Sequence, residues 1–288
     1  MFEWLEELFK MGPTWQARGE RRKARRLKTL LFKREPKLNK KLKKALLSGN
    51  IKRVVKAFHA EKKLDEKEAG YAFLVLKKMR VIIYKQLDIL RKINRAIDED
   101  KNLSPEEKKV LVNKINYDIR LIDGVIRALL RGEDNFAHGD RTLSVREALS
   151  EGSILNDFYF CGRNEIRKVR RSVRDEKRLL SALQKSVKNE KVQSIIKRLE
   201  NDLKAETKNE LREAVDAMVI LYDIEKKIYK EKATIKELVI KEGFPEEIGE
   251  KLEKEFEESE KWMREQAKHD VAEERYAESK AVRSFRPV

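Results

Sequence analysis

The chain has 288 residues, 41% of them charged and 40% hydrophobic, with eleven Gly, five Pro and a single Cys. That alphabet suits long solvated helices rather than compact sheets, and Cys161 alone excludes an intrachain disulfide framework. A formal net charge of +17 points to a polyanionic partner, and no apolar run approaches the roughly 18 to 20 residues of a membrane span.

Residues 1–12 begin MFEWLEELFKM and place Phe2, Leu5, Leu8 and Phe9 on one helical face, with Glu3, Glu6 and Glu7 on the other. The pattern predicts an amphipathic helix that binds a protein groove, on its own chain or on a partner. Its acidic polar face opposes anionic lipid, so peripheral membrane contact is the secondary expectation and an integral membrane protein is not expected. The same three acids fall where a secretory signal would be basic or apolar. With one cysteine, a reducing cytoplasm is the expected compartment.

Residues 13–47 form a basic arm. Arg18 to Lys44 holds fourteen Lys or Arg against Glu20 and Glu35, a local charge of +12 beside +17 for the whole chain. Such a block is stabilised by a polyanion whose counterions it releases. A helix is predicted from about residue 14 to 34, interrupted at Pro36 and resumed through Leu38, Leu42, Ala45 and Leu46. The nucleic-acid contacts predicted here are Trp15, Arg18, Arg21, Arg22, Lys23, Arg25, Arg26, Lys28, Lys33, Arg34, Lys40, Lys41, Lys43 and Lys44. Arg forks suit bidentate phosphate contact, which puts Arg21, Arg22, Arg25 and Arg26 foremost, all on a solvated face whose loss leaves stability unaltered. Trp15 and Phe32 are candidate stacking residues.

Residues 48–132 read as a helical hairpin. Ser48, Gly49 and Asn50 make a turn, and a short helix through Val54 and Phe58 ends near Ala60. Asp65 with Glu68 then has capping-box spacing and predicts a new helix start. A strict 4-3 repeat follows: Ala69, Phe73, Leu76, Arg80, Ile83, Leu87, Leu90, Asn94 and Ile97. The helix should stop near Asp98 to Asn102. Ser104-Pro105-Glu106-Glu107 starts the next with a full capping box, and Gly132 is its expected C-cap.

Residues 133–162 turn to Gly, Asp, Asn and aromatics and read as a loop or hinge, with strand character only at Ile154 to Gly162. Asp134, His138, Asp140, Arg141, Asp157, Tyr159 and Cys161 are its polar candidates, none at a catalytic spacing. Residues 163–232 form a second long-helical region that opens on a basic patch. Arg163, Arg167, Lys168, Arg170, Arg171 and Arg174 are predicted nucleic-acid contacts, and a bend is expected between Ala205 and Asn209. Residues 233–288 supply a short helix capped by Thr234, an acidic helix from Glu246 with eight Glu against two Lys by Glu260, and a basic tail.

No Walker loop, dinucleotide fingerprint, zinc spacing or nucleophile elbow is present. The fold predicted is all-α: long antiparallel helical hairpins, bundle- or coiled-coil-like, with a basic N-terminal arm. The function predicted is a non-enzymatic nucleic-acid-binding factor, without catalytic residues, cofactor or metal. Arm and patch together clamp a phosphate backbone, with structured RNA such as ribosomal RNA favoured over DNA. The alternative is a helical scaffold or adaptor that binds other proteins, or an anionic membrane surface, through residues 1–12 and the arm. A homodimer is expected in either case.

Overall fold

Long runs of Ala, Leu, Glu, Lys and Arg favour helix, and this chain stays helical until local chemistry stops it. The computed structural model describes residues 13–139, 162–184 and 189–283. Seven α-helices occur among them: α1 Pro13–Thr29, α2 Glu35–Leu47, α3 Ile51–Glu99, α4 Pro105–Ala137, α5 Gly162–Gln184, α6 Asn189–Lys241 and α7 Glu246–Arg283. A π-helical turn, Leu30–Arg34, joins α1 to α2. No strand occurs among the described residues. The predicted helix 1–12, residues 154–161 of the stretch read as strand-like, and Asp140, Arg141, Asp157, Tyr159 and Cys161 lie outside the described residues, while Gly162 opens α5.

The breaks that do occur have legible causes. Between α2 and α3, Gly49 takes φ +60 and the Asn50 side chain accepts the Arg53 amide at 3.1 Å. Between α3 and α4, Ser104 Oγ accepts the Glu107 amide at 3.2 Å while Glu107 Oε2 accepts the Ser104 amide at 2.9 Å, the reciprocal capping box read from sequence. Between α6 and α7, Gly243 takes φ +65, and the Phe244 amide donates back to the Leu238 carbonyl at 3.2 Å.

Four predicted stops are absent. Helix α3 runs unbroken through Asp65, whose carboxylate is buried against another helix rather than capping an amide. Helix α6 is continuous through 205–209 and through Thr234, whose hydroxyl donates to the Lys230 carbonyl at 2.9 Å within the helix. Gly132 lies inside α4, which continues to Ala137 and ends at Gly139 with φ +68. Pro36 interrupts the α-geometry without ending the helical path, through the π-helical turn.

The chain divides into two compact units. The first comprises Met1–Arg22, Leu76–Leu129 and Gly152–Asp216; the second comprises Lys23–Val75, Leu130–Glu151 and Ala217–Val288. In the first, the predicted α3 seam is the buried line: Leu76, Ile83, Leu87, Leu90 and Ile97 are all buried, as are Leu111, Ile115, Ile122 and Ile126 of α4. Asn94, the one amide in that seam, donates from Nδ2 to Asn116 Oδ1 of α4 at 3.1 Å, which gives its amino group a partner among aliphatics. In the second, the core is aromatic. Phe58 meets Phe256 edge to face at 6.3 Å, and Phe73 contacts both Phe136 and Trp262 in the same manner.

Candidate nucleic-acid interface

The sequence of α1 and α2 decides which side of the basic arm faces inward. Arg21, Ala24, Leu27 and Leu30 are buried at steps of three, and Glu35, Leu38, Leu42 and Ala45 continue the line as half-buried or buried residues. Every other Lys or Arg of the arm from Arg25 to Lys44 falls on the remaining faces and is exposed. Within the second unit this gives Arg25, Arg26, Lys28, Lys33, Arg34, Lys37, Lys40, Lys41, Lys43 and Lys44, followed on the first turns of α3 by Lys52, Arg53 and Lys56. Arg18 and Arg22, on the part of α1 that belongs to the first unit, are exposed as well.

From residue 23 to 56 the sequence contains one carboxylate, Glu35. It is half-buried and sits 3.7 Å from Lys227 Nζ on α6, so it does not neutralise the exposed cations. The outer surface of this stretch therefore presents thirteen exposed Lys or Arg and no exposed acid of its own. Sequence reasoning passed over Lys37, Lys52, Arg53 and Lys56. The signal was present, since the run of cations resumes directly after the Ser48–Asn50 turn.

Two of the predicted contacts have other environments, and a third lies outside the described side chains. Arg21, placed foremost, is 5% exposed and pairs with Glu213 of α6 at 2.7 Å, within the first unit. Lys23 is half-buried with Nζ 5.7 Å from the centroid of the Tyr71 ring, a cation–π contact. Trp15 lies in α1 with its side chain outside the described residues.

The second basic patch opens α5, in the first unit. The side chains of Arg163, Arg167 and Lys168 lie outside the described residues, whereas Arg170, Arg171 and Arg174 are exposed. Arg171 Nε is 3.0 Å from Asp202 of α6, and Asp175 is shared by Arg178 at 3.6 Å and Arg198 at 3.2 Å. Acids on the same and the facing helix therefore answer part of this patch, which the arm lacks. The acidic α7 likewise spends its carboxylates locally: Glu253 on Lys236, Glu257 on Lys232 and Glu255 on His59.

The strongest electrostatic feature is internal to the second unit. Lys227 Nζ lies 2.7 Å from Asp65 and 3.0 Å from Glu61, with Glu35, Glu68 and Glu231 close enough to act on the same group of charges. Five carboxyls around one ammonium cannot all ionise in a buried setting. Burial is the largest cause of each carboxyl shift: Glu61 is raised, Asp65 rises to about 6, Glu68 to about 8 and Glu231 to about 10, with neighbouring carboxylates adding to each. Burial opposes the Lys227 charge, but Asp65, Glu61 and Glu231 overcome it and hold the ammonium protonated well past its ordinary range. The capping-box spacing read at Asp65 and Glu68 belongs to this cluster.

One group among the described residues could hold a metal ion: His269, Asp270 and Glu273 of α7 bring ligand atoms within 4.8 Å of one another. Asp270 already accepts a hydrogen bond from Gln266 at 3.0 Å, and the His269 side chain is 58% exposed. His138 is also exposed, its Nδ1 2.9 Å from the Asp134 carbonyl one turn earlier in α4, and Asp134 pairs with Arg275 at 3.1 Å. Neither histidine is joined to a nucleophile by these contacts. No helix among the described residues is long and apolar enough to cross a membrane. No family model matches the chain, and neither a curated protein nor a solved structure matches it.

Proposed function

We propose that this protein is a non-enzymatic nucleic-acid-binding factor that holds a phosphate backbone on the exposed face of α1, α2 and the first turns of α3, with structured RNA such as ribosomal RNA as the favoured target. The observation that carries the reading is the sorting of charge from residue 23 to 56: thirteen exposed Lys or Arg, and the sole carboxylate half-buried beside Lys227. Self-repulsion on such a surface is relieved by phosphates, and the release of condensed counterions drives the association. Cations on several faces of a helix suit backbone contact rather than base readout, so affinity should vary little with sequence.

The test is filter binding across a salt series. If roughly six to ten phosphates are engaged, affinity falls by about three to five decades between 50 and 200 mM salt. Replacing the exposed Arg25, Arg26, Lys40 and Lys41 by Ala should weaken binding to every RNA tried and flatten the salt slope. Unchanged affinity in that variant would remove the reading. Purification without nuclease gives an independent check, since nuclease-sensitive nucleic acid should travel with the protein.

A specific feature favours the scaffold reading as the second choice. The first turns of α3 and α7 enclose a groove of about 470 Å³ lined by Ile51, Val55, Ile248 and Leu252 together with Lys52, Lys56 and Lys251 and the paired His59 and Glu255. An apolar groove lined in part by lysine fits an amphipathic helix with an acidic polar face. Protein that purifies free of nucleic acid and binds no RNA would shift the weight to this second reading.

A further inference from the structure

Helices α3 and α7 meet over Phe58 and Phe256, both buried and set edge to face at 6.3 Å. Toward the starts of the two helices the seam opens into the groove of about 470 Å³, where Ile51 and Val55 of α3 stand with Ile248 and Leu252 of α7. Leu252 is buried, Val55 and Ile248 are half-buried, and Ile51 is 38% exposed. Lys52, Lys56 and Lys251 also line the groove and are exposed. Glu255, its one carboxylate among the described residues, is paired with His59 Nδ1 at 2.9 Å. The groove thus offers aliphatic side chains with cations beside them, and it lies wholly within the second unit.

We infer that residues 1–12 of a second copy fill this groove, and that two copies exchange these segments reciprocally to form a homodimer. The inference rests on the groove of the second reading and names its occupant; it does not depend on RNA contact. Two properties of the segment select it. Phe2, Leu5 and Phe9 stand at i, i+3 and i+7, the anchor spacing with which a helix enters a groove, and they span about 10 Å of helix, the same seven-residue rise as Ile51 to Phe58. Glu3, Glu6 and Glu7 fall on the other face, and their charge complements Lys52, Lys56 and Lys251. The apolar anchors supply the affinity, and the opposed charges fix the orientation. Each copy brings one segment, continuous at Pro13 with the first unit, and one groove, in the second unit. Two copies therefore make the contact twice, each filling the other's groove, and the closed pair leaves no vacant groove to recruit a third.

The experiment compares the full-length protein with a segment variant, Leu5→Asp with Phe9→Asp, and a groove variant, Ile51→Glu with Ile248→Glu, by light scattering at micromolar concentrations. Ile51 opens α3 and Ile248 lies in the first turn of α7, where an acid suits the positive end of a helix. The groove variant should therefore keep its circular dichroism spectrum, and Ile51→Glu alone, at an exposed position, carries the same test if the pair disturbs folding. The unaltered protein should give about twice the 34.0 kDa chain mass, and each variant the chain mass alone. A mixture of the variants tests the exchange, because the groove variant keeps an intact segment and the segment variant an intact groove. An affinity-tagged segment variant should then retain the untagged groove variant, while neither retains an untagged copy of itself. A monomeric unaltered protein overturns the inference and leaves the groove to the foreign helix of the second reading. Variants that stay dimeric also overturn it, since another face would then join the copies. So does a mixture without capture, since the contact would then not be exchanged between copies. RNA binding by the unaltered protein, measured by filter binding, judges the nucleic-acid reading separately.

Discussion

Arg21 and Arg25 differ by one helical turn and by what their charge does. Arg25 is exposed, so its loss should change folding stability by less than about 0.5 kcal/mol. Arg21 is buried against Glu213, and Arg21→Ala removes the cation from that buried pair in the first unit. Breaking a buried pair from one side costs about 3–5 kcal/mol, which urea denaturation would resolve from the near-silent Arg25→Ala. A second prediction concerns the carboxyls around Lys227. Glu68 has an ordinary value of 4.5 and rises to about 8 in the fold. Above pH 4.5 the unfolded chain has released a proton that the folded chain keeps, so stability is fully present below that pH and is lost as pH climbs through 8. Asp65 and Glu231 are raised as well and act with the same sign. Denaturation midpoints should therefore fall steadily from mildly acidic to alkaline pH, and Glu68→Gln should flatten the fall near 8. A midpoint that rises with pH over that window would contradict the assignment.

Among the helices, length follows from the absence of stop signals and register from the apolar repeat. The 4-3 pattern from Ala69 to Ile97 places every one of its aliphatic and aromatic members in the buried line, and its one amide finds a partner in α4. The capping box at Ser104 is the best-read local feature. Ser104→Ala should lower stability by about 0.5–2 kcal/mol, since the Glu107 amide loses its acceptor. Denaturation would check this, and no loss at all would mean that water replaces the cap. The same spacing misled at Asp65 and Glu68. Residues three apart share a helix face whether they cap a terminus or reach across to another helix, and the partner that settles the matter, Lys227, is 162 residues further along.

At the scale of the whole molecule, charge and surface apolarity govern association. Leu47, Ile240 and Tyr229 are 80%, 79% and 67% exposed in the second unit, and residues 1–12 carry a further apolar face in sequence. We expect a second copy to cover part of this surface. Light scattering should then give about twice the 34.0 kDa chain mass, and a constant monomer mass across micromolar concentrations would sink the expectation. High salt should leave that association intact while it abolishes the RNA binding proposed above, because apolar contact is not screened and phosphate contact is.

The sequence by itself determined the all-α class, the buried faces of α3 and α4, the turns at Gly49 and Gly243, the cap at Ser104 and the concentration of cations in the arm. Each is a local matter, settled by periodicity, by a residue's own backbone preference or by charges adjacent in sequence. Only the tertiary structure decided which charges face solvent. Arg21 and Arg25 are alike in sequence, and Glu213 of α6 is what turns the first into a buried pair. Glu35 looked like one acid diluted among cations until Lys227 drew it toward the interior, which leaves the outer surface of 23–56 wholly basic. Burial of a charge depends on a partner that folding brings from far along the chain, and no window of neighbouring residues contains it.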